Sequence, residues 1–591
     1  MKPSRLFAFL LVLTFAPVLA AQSYPVKVER NVEIKMRDGV ILRGDIFRPD
    51  ADGKFPVLLQ RTPYRRAIPW GYNVDFAQRA ASRGYVIFLQ DVRGRYTSDG
   101  DWYPFIHEAE DGYDTIEWVA AQPYSNGKVG MFGGSYVGAT QMLAAIAHPP
   151  HLAGICPVVT ASNYHDGWTY QGGAFEQWFN QSWTTGLAQD TVLHQIERTP
   201  GTPEAVDVLP LTQYPIFNTN PATVVNGGAA VVAPYYLEWL AHPSYDDYWK
   251  RVSIEEHFSD IRVPALHIAA WYDIFLGGSL RNYLGIKANG GTEEARKGQR
   301  LQVVIGGHAG SGRKIGAVDF GSEALKTDED EITLAWYDHL FKDVQNEFAT
   351  SKPVKLFVMG LNQWREEDDW PLARAKATKY FLHSNGDANS TKGAGVLSTT
   401  APGKETNDKY LYDPAKPAPT EGGPLCCDSR RHGGPWDQRS VEQRDDVLVY
   451  STPALEHDLE VTGPMRLDFF ASSSAVDTDF TAKLVDVYPD GTAINLTEGI
   501  LRAKYRDSQE KPMPLTPGKV YELTIDLWAT SNVFRAGHHM RLEVSSSNFP
   551  RFDRNLNTGE SAATSDNWAT AINAILHDKD HPSALILPVV P

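Results

Sequence analysis

The stretch Lys128-Val129-Gly130-Met131-Phe132-Gly133-Gly134-Ser135-Tyr136-Val137-Gly138-Ala139-Thr140 limits what this chain can fold into more than any other. A short apolar run enters a glycine cluster, one serine stands at the turn, and the chain leaves as Ala139 to Ala147, a good helix former. This is a strand, a tight turn and a helix, with Ser135 at the apex. The glycines admit a backbone conformation that other residues resist, and they let strand and helix pack closely. A serine so placed stands at a helix N-terminus, where free N–H groups can meet a developing oxyanion. The pattern also suits an ordinary strand–helix turn with an incidental serine. The rest of the chain has to decide between the two.

The 591 residues are too many for one core and imply several domains. A hydrophobic fraction of 42% marks a packed globular protein rather than a disordered one. A formal charge of −16 argues against nucleic acid or anionic membrane surfaces as partners. Residues 1–21 read as an export signal, with Lys2 and Arg5 before an apolar run Leu6 to Phe15 and small residues at Ala20-Ala21. That run is too short to span a bilayer, so the expected product is exported, periplasmic or secreted. Of the three cysteines, Cys156 lies in an apolar run and reads as a buried hydrophobe. Cys426-Cys427 is an adjacent pair in a loop. A vicinal disulfide is one reading of it, and zinc would need further ligands that the local spacing does not supply.

Taken in order, Val26 to Pro49 alternates around an Asp38-Gly39 hairpin signal. Strand-like runs Phe55 to Gln60, Val86 to Leu89 and the serine strand alternate with helical patterns at Val74 to Ser82 and Glu108 to Ala121. That alternation predicts a doubly wound, mostly parallel sheet over residues 22–160. Residues 161–259, rich in Trp, Tyr and Phe, read as a helical cap whose aromatics mostly form its own core while one or two line an acyl pocket. The sheet resumes over 260–350, with strands ending at Trp271-Tyr272-Asp273 and Gly306-Gly307-His308 and a closing helix Ile332 to Phe341. Residues 351–591 carry short strand-like runs, among them Val354 to Met359 and Ala503 to Arg506, and predict an all-β sandwich or jelly roll. Within it, Asp387 to Glu442 reads as a long polar connection.

Serine attack on a carbonyl needs a base, a carboxylate to orient that base, and oxyanion donors. Ser135, Asp273 and His308 each follow an apolar strand, in the chain order of an α/β-hydrolase. Strand ends of a parallel sheet converge on one edge, so the three belong together. The N–H of Tyr136 follows the nucleophile directly, and Tyr64 at the end of an early strand can add a phenolic O–H.

Gly133-Gly134-Ser135-Tyr136-Val137-Gly138 departs from the common Gly-x-Ser-x-Gly elbow by moving the second glycine one place. In this it resembles the cocaine esterase / α-amino acid ester hydrolase family, which is related to Xaa-Pro dipeptidyl-peptidases. Arg61-Thr62-Pro63-Tyr64, Asp91-Val92-Arg93-Gly94-Arg95, Trp271-Tyr272-Asp273, Gly306-Gly307-His308, Met359 to Arg365 and Asp477 to Gly491 resemble further segments of that family. The resemblance implies an α/β-hydrolase with a cap and a C-terminal jelly roll. It implies Ser135 as nucleophile, His308 as base, Asp273 as orienting acid, and Tyr64 with the Tyr136 N–H as oxyanion hole. α-Amino acid ester hydrolases hold the substrate ammonium with a carboxylate cluster, partly just after the catalytic aspartate. Here Ile274-Phe275-Leu276 follow it, and Trp168 to Phe175 also lacks an acid. An unpaired ammonium is costly to bury, so an α-amino acyl group is disfavoured.

The leading expectation is a serine hydrolase that cleaves carboxylic esters of an uncharged or aromatic acid, with Trp168, Phe175, Trp178 and Phe275 as candidate acyl-pocket residues. The alternatives are an amide or β-lactam side-chain acylase, an Xaa-Pro-type peptidase, and a non-catalytic glycan- or polymer-binding protein. No cofactor and no metal site is expected, Arg93-Gly94-Arg95 reads as an ion-paired loop, and Thr327 to Glu331 as a helix cap. Homo-oligomerisation is left open.

Overall fold

The computed structural model describes residues 23–66, 72–195, 207, 209–213, 232–308, 310–427 and 432–591. The export signal expected over 1–21 lies outside the described residues, as does part of the cap.

The first sheet is eleven-stranded. Its main path runs through β1 (Val26–Lys35), β2 (Ile41–Pro49), β3 (Phe55–Thr62), β4 (Val86–Asp91), β5 (Ser125–Gly134), β6 (Leu152–Val158), β7 (Ala265–Tyr272), β8 (Gln299–Gly307), β9 (Val354–Val358) and β10 (Gln363–Glu367). The spatial order is β1-β2-β4-β3-β5-β6-β7-β8-β9-β10. From β4 to β9 every neighbour is parallel, while β1, β2 and β10 join antiparallel. The central strands are apolar without alternation because helices cover both faces. On one face lie α1 (Tyr72–Ser82) and α7 (Glu329–Lys342); on the other lie α2 (Glu108–Ala120) and α3 (Tyr136–Ile146). Gly130 in β5 is explained by α7: a Cβ there would stand 2.4 Å from the Tyr337 ring. The Asp328 carboxylate accepts hydrogen bonds from the N–H groups of Asp330 and Glu331, so the acidic run caps α7 as its sequence suggests.

Between β6 and β7 the chain builds a cap from α4 (Gln177–Gln195), α5 (Pro234–Ala241) and a two-rung hairpin, Tyr170–Gln171 with Ala174–Phe175. After β7 runs α6 (Leu276–Asn289).

The C-terminal part is a second, mostly antiparallel eleven-stranded sheet system, the jelly-roll-type domain read from the sequence. The structure differs from the expected strands in three places. Val354–Val358 and Gln363–Glu367 extend the first sheet rather than the second, because β9 pairs in parallel with β8. Ala503–Tyr505 is a turn of 3₁₀ helix; the strand is Ala493–Arg502 before it, buried along its whole length and therefore without the alternation that marks a half-exposed strand. The polar segment 387–442 contains the strands Gly395–Ser398 and Asp408–Tyr412 and then a loop that reaches the first domain. There Leu425 packs on Trp178 of α4.

Candidate active site

Ser135 stands between β5 and α3 with φ 61° and ψ −128°. For a residue with a Cβ that conformation costs about 1–3 kcal/mol, and the surroundings must hold it. Its N–H donates to the Val158 carbonyl at 2.9 Å. Its carbonyl accepts from the N–H groups of Gly138 and Ala139, which starts the helix, and from the Thr160 hydroxyl at 2.9 Å. The shifted glycine has a local cause. A Cβ on residue 138 would stand 2.7 Å from the Thr160 Cβ, so only glycine lets α3 lie this close to the segment after β6.

The three strand ends meet. Ser135 Oγ lies 2.9 Å from His308 Nε2, and His308 Nδ1 lies 2.6 Å from Asp273 Oδ1. The second oxygen of Asp273 accepts the Phe275 N–H at 2.9 Å. Asp273 is fully buried, so with both oxygens engaged it is fixed as an acceptor and places the proton of the imidazole on Nδ1. Nε2 is then free to accept the serine proton.

Tyr64 is half-buried with its hydroxyl turned inward. The Trp183 indole N–H donates to it at 3.0 Å, and the Ser135 hydroxyl and the Tyr136 N–H also adjoin it. Burial raises the Tyr64 pKa, outweighing those hydrogen bonds and the Arg95 charge, which lower it, so the group remains a phenol and can donate. The Tyr64 phenol and the Tyr136 N–H thus both stand beside Ser135. The loop that carries Tyr64 is anchored by buried charge. Arg61 pairs with Glu108 at 2.8 Å and donates from Nε to Gln90 at 2.8 Å. Glu108 in turn accepts the Tyr136 hydroxyl at 2.9 Å. Arg95 donates to the Pro63 carbonyl at 3.1 Å and to the Leu187 carbonyl of α4 at 2.9 Å, joining the tyrosine loop to the cap. Arg93 pairs with Asp38 and Asp111, each at 2.6 Å, in accord with the ion-paired loop.

Of the four acyl-pocket candidates, the structure brings two to the triad. Phe275 meets His308 edge-on at 5.1 Å between ring centres, and Trp168 stacks on Phe275 at 4.4 Å. The other two have their neighbours elsewhere. Phe175 sits edge-on to Tyr170 and Tyr236 and donates its N–H to Asp553. Trp178 packs on Leu425 and Phe549. Sequence reading missed Phe179, the residue after Trp178 on α4, which meets both Trp168 and Phe275. It also missed Trp183 as the donor to Tyr64. Both follow from i, i+4 spacing on α4 once that helix is placed over the serine.

Glu176 is an acid of the cap near Asp273. It is buried, and its Oε1 has no hydrogen-bond partner among the described residues. Burial chiefly, with repulsion from Asp166, Glu498 and Asp273, pushes its pKa up to about 8 against the attraction of Arg551. Burial thus favours its neutral form over a counter-charge.

A cavity of about 640 Å³ opens on Ser135 and His308, walled by Gly134, Val159, Gly310, Leu325 and Glu329. A larger one, about 790 Å³, is lined by Trp102, Tyr103, Glu238 and Arg251 and touches no member of the triad. The smaller is the one that reaches Ser135 and His308.

Fold and geometry define a serine hydrolase. Residues 38–310 match the family model of the X-Pro dipeptidyl-peptidase (S15 family), and residues 346–586 that of the X-Pro dipeptidyl-peptidase C-terminal non-catalytic domain. The chain is 38% identical to a cocaine esterase of Rhodococcus sp. (strain MB1 Bresler), over 95% of this chain and 98% of that one. Among solved structures it is similar to an aminopeptidase from the marine sediment archaeon Thaumarchaeota archaeon, with 26% identity and a TM-score of 0.82 over 98% of this chain and 99% of that one. It is similar also to an α-amino acid ester hydrolase labelled with selenomethionine, with 25% identity and a TM-score of 0.81 over the same shares. The chain belongs to the cocaine esterase / X-Pro dipeptidyl-peptidase family of serine hydrolases.

Proposed function

We propose that the protein is an exported esterase that cleaves carboxylic esters with an uncharged, aromatic acyl group through an acyl-Ser135 intermediate. The observation that carries this reading is the unbroken hydrogen-bonded line Ser135–His308–Asp273, at 2.9 and 2.6 Å. Ser135 Oγ attacks the carbonyl as His308 Nε2 takes its proton. The oxyanion accepts from Tyr64 and the Tyr136 N–H. His308 returns the proton to the leaving alkoxide, then activates water to release the acid.

Ile274, Phe275 and Leu276 support the acyl preference: all three are buried, and none offers a charge to an ammonium. Similarity to a cocaine esterase favours an ester over an amide. The test compares kcat/KM for matched benzoyl and phenylglycyl esters and for a cephalosporin amide. Preference for the benzoyl ester is expected, and preference for the phenylglycyl ester would overturn the acyl assignment. Fractionation of cells expressing the full chain tests export: activity retained in the cytoplasm with residues 1–21 uncleaved contradicts it.

A further inference from the structure

We propose that Cys426 and Cys427, once reduced, form with His308 an inhibitory site for a soft divalent cation such as Zn²⁺ or Cd²⁺. The two cysteines are joined as a vicinal disulfide. Sequence spacing offers them no third ligand, but the fold does. One sulfur from each and one ring nitrogen of His308 lie within 4.8 Å of one another. The loop that carries the pair is fastened across the catalytic domain. Gly423 and Gly434 exchange two 2.8 Å hydrogen bonds at its neck, and Leu425 is set against Trp178. Cys426 is buried in the same core cluster as Phe179 and Phe275, while Cys427 is exposed and open to a reductant.

Two thiolates and an imidazole are a zinc donor set, with the fourth tetrahedral position left to water. At Zn–S about 2.3 Å and Zn–N about 2.0 Å, ligands of one ion stand about 3.5–3.8 Å apart, so the nitrogen and the sulfurs close by about 1 Å at most, while the two sulfurs, bonded to each other in the disulfide, part by about 2 Å once reduced. Asp273 holds the proton on Nδ1, which leaves Nε2 as the nitrogen with a lone pair, and carboxylate–histidine–metal is a stable arrangement. The chemistry balances. A dithiol reductant gives two electrons and two protons to the disulfide and becomes a disulfide itself. The cation then displaces one proton from each thiol and takes the Nε2 lone pair. An ion on Nε2 removes the acceptor for the Ser135 proton, so binding and loss of esterase activity coincide. Metal binding itself stands independently of the proposed function; the inhibition rests on His308 being the base.

The full chain is treated with dithiothreitol, freed of it without air, assayed for two new thiols, and titrated with Cd²⁺. One equivalent is expected to raise the thiolate-to-cadmium charge-transfer band and abolish p-nitrophenyl ester hydrolysis together, with both reversed by EDTA and neither seen in oxidised protein. The C426S/C427S variant is expected to keep an activity that Cd²⁺ does not lower. His308→Ala is expected to weaken the band's affinity by about tenfold or more. The proposal is overturned if no thiols are released, if reduced protein raises no band, if the band forms without loss of activity, or if His308→Ala binds unchanged. An active His308→Ala enzyme would instead remove the catalytic reading while leaving the band to be judged on its own.

Discussion

Tyr64→Phe separates a catalytic phenol from a structural one. In the proposed mechanism the oxyanion accepts from the Tyr64 O–H and the Tyr136 N–H, both beside Ser135, and the substitution deletes one of them. Loss of one such donor lowers kcat by about 10²–10³, or about 2.7–4 kcal/mol of transition-state stabilisation. KM should change little, because the ground-state carbonyl carries little of the charge that the phenol stabilises. A second effect comes from Trp183. Its indole N–H donates to the Tyr64 oxygen at 3.0 Å and would be left unpaired in a covered site, at a cost of about 1–3 kcal/mol of stability. The two effects are read separately. Steady-state kinetics on a p-nitrophenyl ester gives kcat and KM, and thermal unfolding gives the stability term. A folded variant with kcat near that of the parent would refute the oxyanion role, whatever its Tm. A rise in KM with kcat intact would place Tyr64 in substrate binding instead.

Other substitutions test the packing and electrostatics around the serine. Gly138→Ala sets a Cβ against Thr160 in contact closer than packing allows, and should destabilise by about 1–3 kcal/mol and lower kcat by tilting the elbow; an unchanged Tm and kcat would show that α3 is not held by that contact. Glu176→Gln should flatten the pH dependence of stability. Glu176 has a folded pKa of about 8 against 4.5 for the free side chain, so between these values the folded protein holds a proton that the unfolded chain has lost. Stability therefore falls as pH rises through that window, by at most about 1.4 kcal/mol per pH unit from this group. The Tm advantage of the Gln variant should be wider at pH 8 than at pH 6, and an equal advantage at both would contradict the burial argument. Trp168→Ala empties the stack on Phe275 and should cost about 3–5 kcal/mol while loosening the wall beside His308; loss of stability with unaltered ester preference would confine Trp168 to a packing role.

The parts of the site carried by the parallel sheet were legible in the sequence because topology does the geometric work. A strand that ends in Ser135, Asp273 or His308 delivers its side chain to one edge of the sheet, whatever the loops between them do. The shifted glycine was legible as a departure, but its cause, the Thr160 Cβ, lies in another segment and leaves no local trace. The roles of cap residues were harder to read. Trp168, Phe175 and Trp178 are near in sequence and all aromatic, yet the hairpin and the start of α4 send them to different neighbours. Glu176, one residue past Trp168–Phe175, is visible in the sequence only as one more glutamate; burial is what makes it unusual. The same limit applies to the β domain. Ala493–Arg502 is buried on both faces and so loses the alternation that would announce a strand. The loop after Asp408–Tyr412 looks like a polar linker because Trp178, on which its Leu425 packs, lies in the other domain.

The central claim is that Ser135 is a nucleophile activated by His308, and labelling tests it most directly. Mass spectrometry of the intact protein after treatment with a fluorophosphonate should show one adduct per chain, mapped to Ser135. The adduct should be absent from Ser135→Ala and formed far more slowly in His308→Ala. A folded protein that takes up no label, or that is labelled at full rate without Ser135, would contradict the account.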